Sequence, residues 1–353
     1  MERYTGRGAL SNPPPRFLHE RTEAADDDWY REELPESIAT EVRAEPARTI
    51  IARNDSPDIA FEQSINPYRG CEHGCPYCYA RPSHAYMDLS PGIDFETKIF
   101  FKADAARLLE QELGRRGYAV KPVTLGANTD PYQPLERKLR VTRSLLEVLE
   151  RVRHPVSIVT KGALILRDLD LLRSLARDNL INVFVSITTL DAELKRLLEP
   201  RAASPQARVR VVRELTGAGV PTGVLVAPVI PAVNDHEIEA VVGAAAEAGA
   251  VSAHYVLLRL PHELKQIFRQ WLDEHLPERS EHVMSLIRGA RGGRENDPQF
   301  GSRMVGSGAW AQLLRDRFAL AVKRHGLADR RLQALSCAHF RPPGAGGQMS
   351  LPL

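Results

Sequence analysis

The sequence predicts an α/β protein whose parallel sheet curls into a full or partial barrel; a doubly wound open sheet is the other arrangement it permits. Two observations carry this. Short runs rich in Val and Ile alternate with amphipathic helical patterns through the middle of the chain. Each run is short and mainly apolar, as in strands buried on both faces. A strand–helix unit repeated six or so times, with right-handed crossovers, lays the strands side by side.

Residues 1–45 hold Pro13-Pro14-Pro15 and the acidic run Asp26-Asp27-Asp28, with little periodic hydrophobicity, and are expected to form a flexible extension. The barrel is expected over 46–260. Its strand candidates are Val120–Leu125, Pro155–Thr160, Ile181–Ile187, Val220–Val226 and Val251–Leu257. Leu145, Val148, Leu149 and Val152 fall at helical spacing, as do Leu169, Leu172 and Leu175. Ser204-Pro205 reads as an N-cap with proline at the first helical position, and Asp235 as the cap of a run through Ile238, Val241 and Val242. Residues 261–341 carry further helical patterns, Glu281–Ile287 and Leu313–Val322, and form a helical extension. Residues 342–353, PPGAGGQMSLPL, read as a flexible tail.

Composition narrows the function classes. Hydrophobic residues make up 43% and charged residues 26%, ordinary for a globular protein. A formal charge of +2 is too mild to imply a nucleic-acid partner by itself. No apolar run approaches the ~18–20 residues of a membrane span, and the N-terminus has no apolar signal core. Three of the four cysteines fall within eight positions, a poor disulfide framework and a better cluster or metal site. A cytoplasmic location is expected.

The cysteines lie in Asn66-Pro67-Tyr68-Arg69-Gly70-Cys71-Glu72-His73-Gly74-Cys75-Pro76-Tyr77-Cys78-Tyr79-Ala80-Arg81. The spacing is C-x3-C-x2-C. Three thiolates on one tight loop can hold three irons of a cubane cluster and leave the fourth open to a substrate. A structural zinc site completed by His73 or Cys337 is the other reading.

With Tyr77 as the aromatic before the last cysteine, this segment resembles the radical S-adenosylmethionine (SAM) signature. CPYCYAR is similar to the branch that includes spore photoproduct lyase. Gly126-Ala127-Asn128-Thr129-Asp130-Pro131-Tyr132-Gln133-Pro134-Leu135-Glu136, Thr160-Lys161, Ser186-Ile187-Thr188-Thr189 and Ala227-Pro228-Val229-Ile230-Pro231 extend the resemblance over about residues 60–260. It implies a partial (β/α)6 barrel of the radical SAM type, with a [4Fe–4S] cluster on Cys71, Cys75 and Cys78. It further implies SAM chelated to the open iron, cleaved by one electron to a 5′-deoxyadenosyl radical that abstracts hydrogen from a substrate. By the same resemblance Thr129 and Asp130 lie near the SAM amine, Lys161 pairs with its carboxylate, Ser186 bonds the methionyl or ribose part, and Val229, Ile230 and Tyr77 pack on the cofactor. A one-electron donor such as flavodoxin or ferredoxin is implied. The substrate is either nucleic acid or another large molecule in a lyase- or repair-like reaction, or a small metabolite or peptide. A non-catalytic iron–sulfur or zinc protein that binds nucleic acid is the alternative function.

Other residues have blander readings. His73 is expected at the surface and Cys337 as a small buried hydrophobe. Tyr79, Arg81, His84, Tyr86, Glu96 and Lys98 either line a substrate pocket or form a solvated loop. The basic run Arg288–Arg294 is expected as a solvated loop. One departure from the branch is Asn128, which stands where spore photoproduct lyase has its hydrogen-donating cysteine.

Overall fold

The apolar runs become strands, and their side chains are buried on the faces that meet the helices. The computed structural model describes residues 6–17, 37–328 and 332–343. Among these the strands are β1 (Glu41–Ala44), β2 (Ile51–Arg53), β3 (Gln63–Ile65), β4 (Tyr68–Arg69), β5 (Lys98–Phe101), β6 (Val123–Leu125), β7 (Val156–Thr160), β8 (Ile181–Ser186), β9 (Thr222–Val229) and β10 (Ser252–Leu257). β3, β6, β7, β8, β9 and β10 lie side by side in chain order, all parallel. β2 adds antiparallel at the β3 edge, and β1, β5 and β4 form a separate small sheet. A doubly wound sheet reverses its strand order at a switch point. This order never reverses, so the sheet is the six-stranded partial barrel. β3 is a strand that the sequence reading missed; its three residues are too few to show a period.

Helices α1 (Asp94–Thr97) and α2 (Ala105–Leu113) precede β6, and α3 (Glu136–Leu139) and α4 (Val141–Arg151) follow it. α5 (Leu169–Ala176) follows β7, α6 (Ala192–Leu198) and α7 (Pro205–Gly217) follow β8, and α8 (Ile238–Glu247) follows β9. α9 (Leu264–His275), α10 (Ser280–Gly289) and α11 (Gly308–Arg324) form the C-terminal part. The Ser204 hydroxyl accepts from the Ala207 amide at 3.2 Å, capping α7 as expected. Asp235 does not cap α8. It opens a 3-10 turn, Asp235–Glu237, and the helix begins after Glu237 with no side-chain cap; Glu239 pairs instead with Arg317 of α11 at 2.7 Å. Val156, Ile158, Ile181, Val183 and Val224 are fully buried between sheet and helices, each contributing about 1.5–3 kcal/mol of apolar burial.

The C-terminal part reaches both ends of the barrel. At the C-terminal ends of the strands, the Leu257 amide donates to Met304 O at 2.9 Å. There Arg303 and the Gly301 amide hold Asp58 at 2.6 and 2.7 Å. This ties the β10 edge to the loop after β2. At the opposite end, the Ser336 amide donates to Asn179 O and the Arg341 amide to Val152 O, at 2.9 and 2.8 Å. Of the expected tail, residues 344–353 lie outside the described residues, as do 1–5 and 18–36 of the expected extension. Residues 6–17 are packed against the body, with Gly8, Ala9 and Leu10 buried. No helix among the described residues is long and apolar enough to cross a membrane.

Candidate functional site

The cysteine loop leaves β3 at the C-terminal mouth of the barrel with almost no regular structure, so other residues satisfy its backbone groups. The Cys71 amide donates to Phe95 O at 2.9 Å. Gln133 accepts from the Glu72 amide at 2.9 Å and donates to Gly70 O at 3.2 Å. Arg81 Nε donates to Cys75 O at 2.7 Å. Gly70 and Gly74 turn with φ of +79° and +73°, conformations open to glycine. A Cβ on Gly70 would lie 2.7 Å from Ile99 Cδ1 and 2.9 Å from Phe95 O.

A buried carboxylate anchors the outer side of this loop. Glu96, fully buried, pairs with Arg81 and accepts the amides of Gly8 and Ala9 at 3.0 and 2.8 Å. Gly8 crosses Gly74 so closely that a Cβ there would stand 1.7 Å from Gly74 O. Residues 6–17 thus act as a strap over the loop. Arg81, His84 and Glu96 are interior residues, whereas Tyr79 and Tyr86 are exposed; the stretch is neither wholly pocket nor wholly solvated.

Facing the loop, the strand ends carry a second polar network. Asp130 accepts from Thr160 Oγ1 at 2.7 Å, the Lys161 amide at 2.7 Å and the Tyr132 amide at 2.8 Å. His73 Nδ1 lies 3.4 Å from Asp130. Lys161 Nζ donates to Ser186 Oγ at 2.6 Å and lies 3.8 Å from Glu199. Glu199 is fully buried and also bonded by Tyr77 Oη, Thr188 Oγ1 and Arg208. Burial alone would raise this carboxyl, but the charges of Arg208 and Lys161 outweigh it and bring it down to about 2.

The structure sorts the residues singled out from the sequence. Lys161, Ser186 and Tyr77 share one network beside the cysteine loop. Thr129 donates to Tyr68 O at 2.8 Å, and the Asp130 oxygens are engaged by protein donors, so both brace the loop in this structure. Val229 packs in the main core, whereas Ile230 shares an apolar cluster with Cys75 and Tyr77. His73 is buried, not at the surface as expected, because it fills the space between the loop and Asp130. Cys337 is exposed rather than buried. Its neighbour Ser336 bonds Asn179, before β8, at the end opposite the loop. The six residues of β8 span about 20 Å, which removes Cys337 as a fourth ligand. Of the basic run, Arg291 is buried and donates to the carbonyls of Ser302, Arg303, Leu257 and Leu258. It is a structural clamp, not a solvated residue.

The donor set suits an iron–sulfur cluster. Cys71, Cys75 and Cys78 are free thiols on one braced loop, two of them buried and Cys78 partly exposed. Burial pushes the Cys71 thiol well above its usual range and Cys75 up to about 12. Thiolates here need a bound cation to offset that burial, which irons supply.

Glu199 and Arg208 were missed in the sequence. The signal was there: Arg208, Val211, Val212 and Leu215 share one helical face, and all four are buried. A cation in register with an apolar stripe calls for a buried anion.

Comparison with known proteins agrees with this geometry. The profile of the radical SAM superfamily matches residues 65–245. An uncharacterised protein of Mycobacterium tuberculosis is 37% identical over 242 residues, covering 67% of this chain and 71% of that protein. One of Methanocaldococcus jannaschii is 26% identical over 219 residues, covering 62% and 78%. A solved structure of a spore photoproduct lyase mutant superposes with a TM-score of 0.58 at 17% identity, covering 80% of this chain and 79% of that one.

Proposed function

The chain belongs to the radical SAM superfamily, and on that premise we propose that Cys71, Cys75 and Cys78 hold its [4Fe–4S] cluster and that the Lys161–Ser186 pair holds its SAM. The observation that carries this is the placement of three free thiols, on a loop braced by Gln133 and Arg81, beside a lysine at a strand end. When bound and reduced, the cluster supplies the electron that splits SAM into methionine and a hydrogen-abstracting group. Lys161 presents its ammonium to the SAM carboxylate, a charge-assisted contact. Ser186 and Glu199 orient that ammonium, and Arg208 keeps Glu199 ionised. Ile230 and Tyr77 give the apolar wall that excludes water. Thr129 and Asp130 fix the loop against the next strand end and place its polar edge toward the SAM amine. An external electron donor of flavodoxin or ferredoxin type completes the system, in the cytoplasm.

The finer reading is a lyase-type reaction on a nucleic-acid or comparably large substrate. The fold-mate spore photoproduct lyase has been solved with a dinucleoside spore photoproduct, which supports that substrate class. Repair of that same lesion is a poor fit. Asn128 offers only strong N–H bonds, and Cys337 lies at the opposite end. The test is anaerobic reconstitution with dithionite and SAM, following 5′-deoxyadenosine. Lys161→Ala should keep the cluster and weaken SAM binding about ten- to a hundredfold, the loss of a charged contact worth roughly 1.5–3 kcal/mol. Unchanged SAM affinity would refute the assignment of Lys161.

A further inference from the structure

The mouth holds one arginine whose partners are missing. Arg259 follows β10, the sixth strand of the barrel, and is half-buried. Its Nε is buried without a hydrogen-bond partner, and its Nη1 meets only the Met304 sulfur at 3.8 Å. No ion pair to it is formed among the described residues. The natural candidates are already taken. Asp58 is held by Arg303 and by the Gly301 amide, and Arg291 occupies the nearby carbonyls of Leu257 and Leu258. Arg303 and Arg291 are therefore satisfied while Arg259 is left over.

The position of Arg259 matters as much as its isolation. Burial and the neighbouring Arg303 disfavour its charge and outweigh Tyr79 and Asp58, which are near enough to favour it without bonding to it. Tyr79 directly follows Cys78, and its hydroxyl bonds Ala127 O beyond β6. Tyr79 itself is 51% exposed. A half-buried guanidinium with an unmade bond is costly unless something completes it. Its fork geometry suits a planar pair of oxygens.

We propose that Arg259 is the anchor for an oxyanion, a carboxylate or phosphate, carried by the substrate at the barrel mouth. This rests on the radical SAM reading of the same mouth and specifies what the substrate must carry. The anchored group sits at the sixth strand and the rest of the molecule lies along Tyr79 toward the cysteine loop.

The test is arginine labelling with phenylglyoxal on the anaerobic, cluster-loaded protein, with modified peptides quantified by mass spectrometry. Inorganic phosphate and acetate serve as separate probes, against chloride at matched ionic strength. At tens of millimolar, one or both should slow labelling of Arg259 about fivefold, as expected of a site with millimolar affinity. The labelling of Arg291 and Arg303 should not change. Whichever probe protects names the source of the oxyanion. Arg259→Gln should also lose any rise in thermal midpoint that the protecting anion gives the wild type. Equal labelling in phosphate, acetate and chloride would overturn the proposal. So would protection by SAM alone, which would give Arg259 to the cofactor. SAM cleavage measured on the same wild-type sample reports separately on the parent reading.

Discussion

Replacing Glu199 with glutamine removes the negative charge from a pocket that holds two cations. Arg208 is 1% exposed and Lys161 17%, and both face this carboxylate. The amide can still accept from Tyr77 and Thr188, so the change isolates charge from shape. The shift from an ordinary 4.5 to about 2 in the folded protein corresponds to about 3 kcal/mol. That agrees with the ~3–5 kcal/mol typical when one partner of a buried pair is lost. The sign follows from a lowered folded value. The contribution is complete above pH 4.5 and disappears as pH falls from there toward 2. Glu199→Gln should therefore lower the urea midpoint at pH 7 and leave a smaller loss of stability on acidification than the wild type shows. A double change, Glu199→Leu with Arg208→Met, should recover much of the loss, because it removes the stranded cation as well. A cost at pH 7 below about 1 kcal/mol, or a double variant no better than the single, would show that the pair is not the buried electrostatic unit described here.

Three further outcomes are expected. Alanine at Cys71, Cys75 or Cys78 should abolish the visible absorption and iron content of reconstituted protein, while Cys337→Ala keeps both; equal loss in Cys337→Ala would contradict its placement at the opposite end. Gly8→Ala, whose new Cβ would clash with Gly74 O at 1.7 Å and stand 3.1 Å from Pro76 Cδ, should lift the strap and speed bleaching of the cluster in air several-fold; an unchanged bleaching rate would mean that the strap shields nothing. Reduced protein with SAM should not restore the two thymines of a dinucleotide photoproduct over many turnovers, and sustained turnover would show that a hydrogen donor other than a cysteine at position 128 is in reach.

Most of the barrel was legible because its strands are short apolar runs, and such runs can hardly do anything but pair in the interior. Even so, the boundaries moved: Val220–Val226 became Thr222–Val229, since the residues before Thr222 serve the turn out of α7. The cysteines were legible because spacing on one loop is a property of sequence. What could not be read was which polar groups meet. Glu96 binds amides 87 and 88 residues away, and Asp58 reaches Arg303 across 245. No local pattern encodes such pairings. Residues 6–17 were misjudged for the same reason. Their composition is that of an extension, but the partner that immobilises them is a carboxylate far along the chain.

These long-range pairs share one physical task. The cysteine loop lacks the ladder of hydrogen bonds that holds a helix or strand in place, yet a cluster needs its three thiolates fixed relative to one another. Rigidity must therefore come from outside the loop. Gln133 and Phe95 take its amides and carbonyls, Arg81 holds Cys75 O, and Glu96 joins Arg81 to the strap. A buried ion pair such as Arg81–Glu96 contributes little net stability compared with apolar residues of the same volume. It does offer direction, because its hydrogen bonds are satisfied in one arrangement only. On this reasoning replacing both partners, Arg81→Met with Glu96→Gln, would be tolerated by the fold better than by the cysteine loop, and the strap would loosen with it. Arg81→Met alone would also strand the buried Glu96 carboxylate, at a cost of ~3–5 kcal/mol.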